Sequence, residues 1–352
     1  MSQAAHRPES SWMVQGSMWQ DVVLSTRIRL ARNVSDLPFP GVATSEQKTI
    51  LMHRVENIVP QLVSESGSLW QLVHMTGLSE EERGVLVDKH LISPQFLKHA
   101  EGSSLLLRED EAVSIMMNEE DHLRMQVLMP GQKLSEAWEI ATKVDDILEA
   151  QLSYAFHPEL GYLTACPTNV GTGLRASVMM HLPALVISKK VSDVLAAINK
   201  MGFVVRGLYG EGSEATGQIF QISNQISLGH SEEEIMQSLQ AIVKQIVEEE
   251  RNTRRALQNS SEMDVMNRIG RSLGVLANAR IINEREALQL LSDLRLGVHL
   301  QRVLGISNET ISALLVMIHP AWMSLEYPDD SRPMPHKRAQ ILREAMVGVR
   351  LE

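Results

Sequence analysis

In STRIR, residues 25–29, two arginines stand two positions apart. Side chains alternate along a strand, so Arg27 and Arg29 would share one face. Two guanidinium groups on one face repel unless an anion lies between them, and a phosphate chain is the natural anion. ACPTNVGTG, residues 165–173, holds the only cysteine of the 352 residues, with Arg175 just beyond. A lone cysteine is ordinarily a small buried hydrophobe. Here Pro167 cannot donate a backbone hydrogen bond, and Gly171 and Gly173 would let amides approach a ligand. A loop of this kind can hold a thiolate beside a cation. No Gly-Lys-Ser/Thr follows, so it is not a Walker loop.

NEEDHLR, residues 118–124, carries three consecutive acids. Such a run is either a solvated turn or a place where one carboxylate grips or deprotonates a cationic group. His122 has no second histidine at ligand spacing, so no metal is expected there. RGLYGEGSE, residues 206–214, is a Gly-punctuated turn with one arginine and two glutamates, which a plain surface hairpin would also explain. Taken together, Arg27, Arg29, Arg124, Arg175 and Arg206 can neutralise a nucleoside triphosphate and the charge of phosphoryl transfer. Glu120 and Glu211 can hold a guanidinium and remove its proton, which a guanidinium must lose to become a nucleophile. Cys166 joins this group.

The elements that must position these residues follow from periodicity. Residues 22–29 read as a strand and LPFP at 37–40 as a break. Helices are expected over 45–59, ended or kinked by Pro60, and over 80–90, stopped near Ser93-Pro94. Strands are expected over 105–108 and 112–117, across a charged turn. A long amphipathic helix covers 133–153, and a short strand over 161–165 leads into the cysteine loop. Residues 184–188 and 203–209 read as strands around a helix at 191–201, and 218–223 with 225–228 as another strand pair. Ser231 with Glu234, and Asn283 with Glu286, read as capping boxes. After about Arg254 the pattern is helical only. The expected fold class is α+β, an antiparallel sheet flanked by helices and then an all-α part. The expected division is a tail at 1–20, a catalytic domain at 21–257 and a helical domain at 258–352, joined through the polar stretch 258–261.

Hydrophobic residues make up 44% and charged residues 22%, the balance of a soluble globular chain. No stretch has the apolar length of a membrane span, and MSQAAHRPES does not read as a signal peptide. One cysteine excludes an internal disulfide, so the cytoplasm is the expected location. A net charge of −10 argues against a broad nucleic-acid surface and suits a basic partner.

CPTN-x-GTG, STR-x-R, NEEDH-x-R and Arg-Gly-x-x-Gly-Glu occur in the order in which the phosphagen (guanidino) kinases carry them, and the chain resembles that family over roughly residues 19–247. Small-molecule members have a helical domain of about a hundred residues before STR-x-R. That domain is missing here and a helical extension follows instead, which resembles the bacterial protein-arginine kinase branch. The resemblance implies ATP with Mg²⁺ as phosphoryl donor and protein arginine as acceptor. It implies Arg27, Arg29, Arg124, Arg175 and Arg206 on the nucleotide phosphates, Glu120 as base, Glu211 as second carboxylate, and Cys166 as a thiolate beside the guanidinium. It also implies protein substrates with exposed arginines, a heat-shock repressor and a Clp ATPase in a stress response, a zinc-binding activator and a homodimer. Met179 stands where creatine and arginine kinases have a histidine that meets the base, so that contact is not carried over. Of the branch's Arg-Asp-x-x-Arg-Ala motif only Arg338 and Ala339 stand here, so its phosphoarginine pocket is not carried over either. The alternatives are a kinase of free arginine or another small guanidino compound, and a non-catalytic adaptor for arginine-rich partners.

Overall fold

The computed structural model describes residues 3–207 and 215–352. In chain order the first half contains β1 (Val23–Arg32), α1 (Ser45–Ser66), β2 (Trp70–His74), α2 (Glu80–Asp88), α3 (Pro94–Lys98), β3 (Ser104–Arg108), β4 (Val113–Met117), β5 (Leu123–Pro130) and α4 (Leu134–Glu149). A two-residue hairpin follows, β6 (Phe156–His157) with β7 (Gly161–Tyr162). Then come β8 (Leu174–His181), α5 (Pro183–Ile187), α6 (Val191–Lys200), β9 (Phe203–Gly207) and β10 (Ile219–Asn224). The remainder is α7 (Glu232–Ser260), α8 (Glu262–Asn278), α9 (Glu284–His299), β11 (Val303–Leu304), α10 (Asn308–Met317), α11 (Pro320–Glu326), α12 (Met334–Ala345) and β12 (Arg350–Leu351).

Eight strands form one antiparallel sheet in the order β2-β3-β4-β5-β1-β8-β10-β9. β1 lies in the middle, and along it only Arg27 and Arg29 escape full burial. One sheet face carries Ile28, Leu30, Val127, Val178 and Phe220 into a core with α1, α4 and α7. The apolar stripes of these helices supply that core, including Leu51, Val55 and Ile58 from α1 and Ile235, Leu239 and Ile242 from α7. The other face divides in two. At one end Leu128, Met179 and Ile219 enter a second core with the helices after α7. At the other end the face stays polar and open. The first twenty residues contribute Trp12 and Met13 to the second core, and Lys89 clamps their backbone by donating to Ala4 O at 2.8 Å and Arg7 O at 3.2 Å.

The α+β architecture agrees with the sequence, and four local expectations need correction. Residues 184–188 are not a strand but most of α5. Pro183 starts that helix, and the buried Glu250 carboxylate accepts from Ala184 N (3.1 Å) and Leu185 N (3.0 Å), a tertiary cap that overrides the β-branched composition. Residues 225–228 form no strand, because Asn224 Nδ2 donates to both Leu174 O and Ile226 O and turns the chain off the sheet. α1 continues past Pro60 to Gly67, whose φ of 67° makes the left-handed cap; Pro60 is exposed and its ring meets solvent. The polar stretch 258–261 is no open linker, since α7 runs to Ser260 and α8 begins at Glu262. The C-terminal part also contains the small pair β11–β12. Ser231 and Glu234 form the full capping box, while Asn283 caps α9 through its side chain alone.

Candidate active site

Strand register gathers the arginines. Arg29 on β1 lies directly opposite Arg175 on β8, Ala31 opposite Arg124 on β5, and Arg27 opposite Ser177. Arg206 lies opposite Gln221 on the same face. Directly opposed residues point the same way, so four strands aim guanidinium groups at one cleft of about 770 Å³. Few neutral or anionic groups meet them. Arg27 donates to Gln221 Oε1 at 2.7 Å, and Arg175 donates weakly to Ser223 Oγ at 3.4 Å. The buried Nε atoms of Arg29 and Arg175 have no partner. Burial, then the charges of Arg124 and Arg175, push Arg27 down to about 9. Burial and the charges of Arg27, Arg124 and Arg175 push Arg29 well below the ordinary guanidinium range. A guanidinium stays protonated at neutral pH. Clustered guanidinium groups with so few partners favour an anion in this cleft.

The acids after β4 have separate fates. Arg124 Nη1 donates to both oxygens of Glu119, at 2.6 and 2.7 Å, and Ser93 Oγ donates to the same carboxylate. Burial raises Glu119, but Arg124 and Ser93 outweigh it and hold the carboxyl below its usual range. Glu120 is exposed at the cleft, and its carboxylate makes no hydrogen bond or ion pair among the described residues. Burial of its carboxyl, then Asp121 and Glu119, raise its pKa against the pull of Arg124. Asp121 is buried and accepts from Asn33 Nδ2 (2.6 Å) and Ala165 N (2.7 Å). His122 accepts from Val34 N at 3.2 Å through Nδ1 and donates to Pro38 O at 3.0 Å through Nε2, a structural role.

Asp121 thereby ties the acidic loop to the cysteine loop. Cys166 Sγ lies 3.1 Å from Thr168 Oγ1 and lines a smaller chamber of about 100 Å³ with Glu120, Asp121 and Asn169. The two chambers share Arg29, Glu120, Arg124 and Arg175. Gly173 lines this chamber, as the sequence led us to expect, and Gly171 does not. A Cβ on Gly173 would lie 2.7 Å from Ala31 O, and one on Gly171 2.8 Å from Leu228 Cα, so both allow chain to pass chain. Arg206 is exposed at the cleft edge, and Glu211 lies outside the described residues.

Residues 51–253 match the model of the ATP:guanido phosphotransferase C-terminal catalytic domain, and residues 262–351 match that of the protein-arginine kinase McsB C-terminal domain. The chain belongs to the ATP:guanido phosphotransferase family. Among guanidino phosphotransferase relatives, a protein-arginine kinase of Moorella thermoacetica is 47% identical over 343 residues, covering 96% of this chain and 98% of the relative. One from Brevibacillus brevis is 46% identical over 346 residues, covering 98% and 97%. The crystal structure of lombricine kinase superposes with a TM-score of 0.57 at 26% identity, over 70% of this chain and 71% of that one. The duplicated taurocyamine kinase of Schistosoma mansoni has a TM-score of 0.62 at 23% identity, over 78% of this chain and 42% of that one, and shares the fold.

ATP with Mg²⁺ is the donor in this family. The under-neutralised arginine face fits a triphosphate. Among the described residues no group of three His, Cys, Asp or Glu side chains could hold a metal. Three site residues were missed in the sequence. Glu119 looked the same as Glu120, because only the fold directs one to Arg124. Gln221 sits in a plain strand. His90 lines the cleft beside Arg27 from a left-handed backbone (φ 62°) after α2, with its ring 5.6 Å from that of Trp12 and its Nε2 unpartnered. Burial, then Arg27, push it down to about 3, so it is a neutral imidazole. A histidine just after a helix carries no local signal of that placement.

Proposed function

We propose that this chain is an ATP-dependent protein-arginine kinase. The observation that supports it most is the seam where the arginine-lined cleft meets the Cys166 chamber, with Glu120 on both sides. The names of its relatives point to the same reaction. Arg27, Arg29, Arg124, Arg175 and Arg206 hold the phosphates, with His90 beside Arg27 in the same cleft. Glu120 takes the proton from the target guanidinium, and Glu211 grips the same group. The freed nitrogen lone pair forms the N–P bond as the bond from the γ-phosphorus to the β,γ-bridging oxygen breaks, leaving ADP. Cys166 lies beside the non-reacting nitrogen as a thiolate, an electrostatic partner rather than a covalent nucleophile. Glu119 keeps Arg124 aimed at the γ-phosphate. Catalysis is then positioning and charge, with no phosphoenzyme.

The finer readings are proposals as well. Substrates are proteins with exposed arginines, among them a heat-shock repressor, in a stress response linked to a Clp ATPase and a zinc-binding activator. The chain works in the cytoplasm as a homodimer, with a catalytic part at 21–257 and a helical part from 258. Among the described residues no helix is long and apolar enough to cross a membrane. The test is mass spectrometry, without acid, of an arginine-rich protein incubated with ATP and Mg²⁺. Phosphate on arginine that disappears with Glu120→Ala is the expected result. ADP released only on addition of free arginine would instead make this a small-molecule kinase, and partner binding with no transfer at all would make it an adaptor.

A further inference from the structure

An apolar rim flanks the Cys166 loop on two sides. On one side the β6–β7 hairpin exposes Phe156 (57%) and Leu160 (43%). On the other, the segment after β10 exposes Ile226 (49%) and Leu228 (47%). Both sides are fastened to the loop. The Phe156 ring packs 5.3 Å from that of Tyr162, and Tyr162 N donates to Gly171 O at 2.8 Å. Ser227 Oγ donates to Thr168 O at 3.2 Å and to Val170 O at 3.0 Å, while Gly171 lies against the Leu228 backbone. A monomer commonly scatters single apolar side chains, whereas these four are held around one loop, as at surfaces that bind a partner.

We infer that this rim docks the apolar residues next to a target arginine in a protein substrate; the inference rests on the protein-arginine kinase reading. The occupant follows from continuity. Cys166, Thr168, Asn169 and Gly173 of this loop line the chamber proposed for the guanidinium, so a target arginine held there would bring its chain neighbours over Phe156 and Leu160 on one side or Ile226 and Leu228 on the other. A free guanidino compound has no such neighbours and leaves the rim bare. Burying one apolar side chain against such a surface corresponds to about a tenfold preference.

The test uses the full chain with ATP and Mg²⁺ and equal-length peptides carrying one central arginine flanked by leucine or by serine. Phosphoarginine is measured without acid. The expected result is that leucine flanks raise kcat/KM about tenfold, chiefly through KM, and that Leu160→Ser with Leu228→Ser brings the preference to within about twofold. The rate on the serine-flanked peptide and the nucleotide Kd should not change. A wild type indifferent to the flanks, a preference that survives the substitutions, or an equal fall on both peptides would each overturn the inference. Phosphate on no peptide and on no protein would overturn the kinase reading itself, and the rim with it.

Discussion

Adjacent carboxylates reach opposite protonation behaviour at this site through contacts a few ångströms apart. Glu119 is spoken for by Arg124 and Ser93, while Glu120 has neither and is raised by burial, Asp121 and Glu119. Environments that push neighbouring acids apart mark the division between a structural anion and a proton acceptor. Glu120→Gln should therefore lower phosphoryl transfer by about 10³-fold while nucleotide Kd stays within about twofold. A base works deprotonated, so the rate is full above its pKa and falls as pH drops through it. The acid limb of the kcat/KM profile should lie above that of an ordinary glutamate, and a limb at the ordinary position would remove Glu120 from the role. Arg29 gives a second, opposed pair of readouts. Its charge is disfavoured in the free protein by burial and by Arg27, Arg124 and Arg175. Arg29→Gln should raise the Tm of the free protein and weaken nucleotide binding by about tenfold or more, by thermal melts and calorimetry. Arg27 and Arg29 were legible in the sequence from their alternation, and Arg124, Arg175, Arg206 and Glu120 from the family motifs that hold them. The split between Glu119 and Glu120, and the arrival of His90, depend on contacts that no spacing encodes.

Elements position these side chains through a small buried polar knot at the end of β1. Asn33 donates to Asp121 and to Leu163 O and accepts from His122 N, and Asp121 in turn receives Ala165 N. The knot joins the β1 end, the acidic loop and the cysteine loop. Asn33→Ala leaves a buried carboxylate and a buried amide short of partners, and should cost about 3 kcal/mol in chemical denaturation. It should also lower kcat more than it alters nucleotide Kd, because the loops that move carry Glu120 and Cys166. The helices α1, α4 and α7 were legible because each shows an apolar stripe of helical period beside a clear cap or break. β8 was not. Its residues 174–181 are covered on both sides over most of their length, so alternation fades. α5 was misread for the reverse reason, since its cap comes from Glu250, 66 residues away.

At the scale of the whole molecule, the helices after α7 are part of the sheet's second face and not an appendage. His181 on β8 meets Ser292 on α9 at 2.8 Å, and Ser292 donates to Gln218 at 2.6 Å. Arg338 on α12 donates to Ile318 O and Ile282 O and is buried. α2 is gripped between this layer and the cleft. A Cβ on Gly84 would lie 2.6 Å from Ala321 Cβ on α11, while Asp88 and His90 at the end of α2 line the nucleotide cleft. Gly84→Val should destabilise the fold by about 1–3 kcal/mol and weaken nucleotide binding as well, although it touches no ligand; loss of stability with unchanged Kd would sever that connection. The position of β1 has a further consequence for the making of the protein. The strand is synthesised before both its neighbours, β5 and β8, which follow about a hundred and a hundred and fifty residues later. Until then the nascent chain carries an unpaired strand, half of it apolar, studded with three arginines, Arg27, Arg29 and Arg32. Charged side chains on an unpaired strand disfavour its pairing with another chain, so Arg27 and Arg29, which crowd the finished site, would serve the unfinished one.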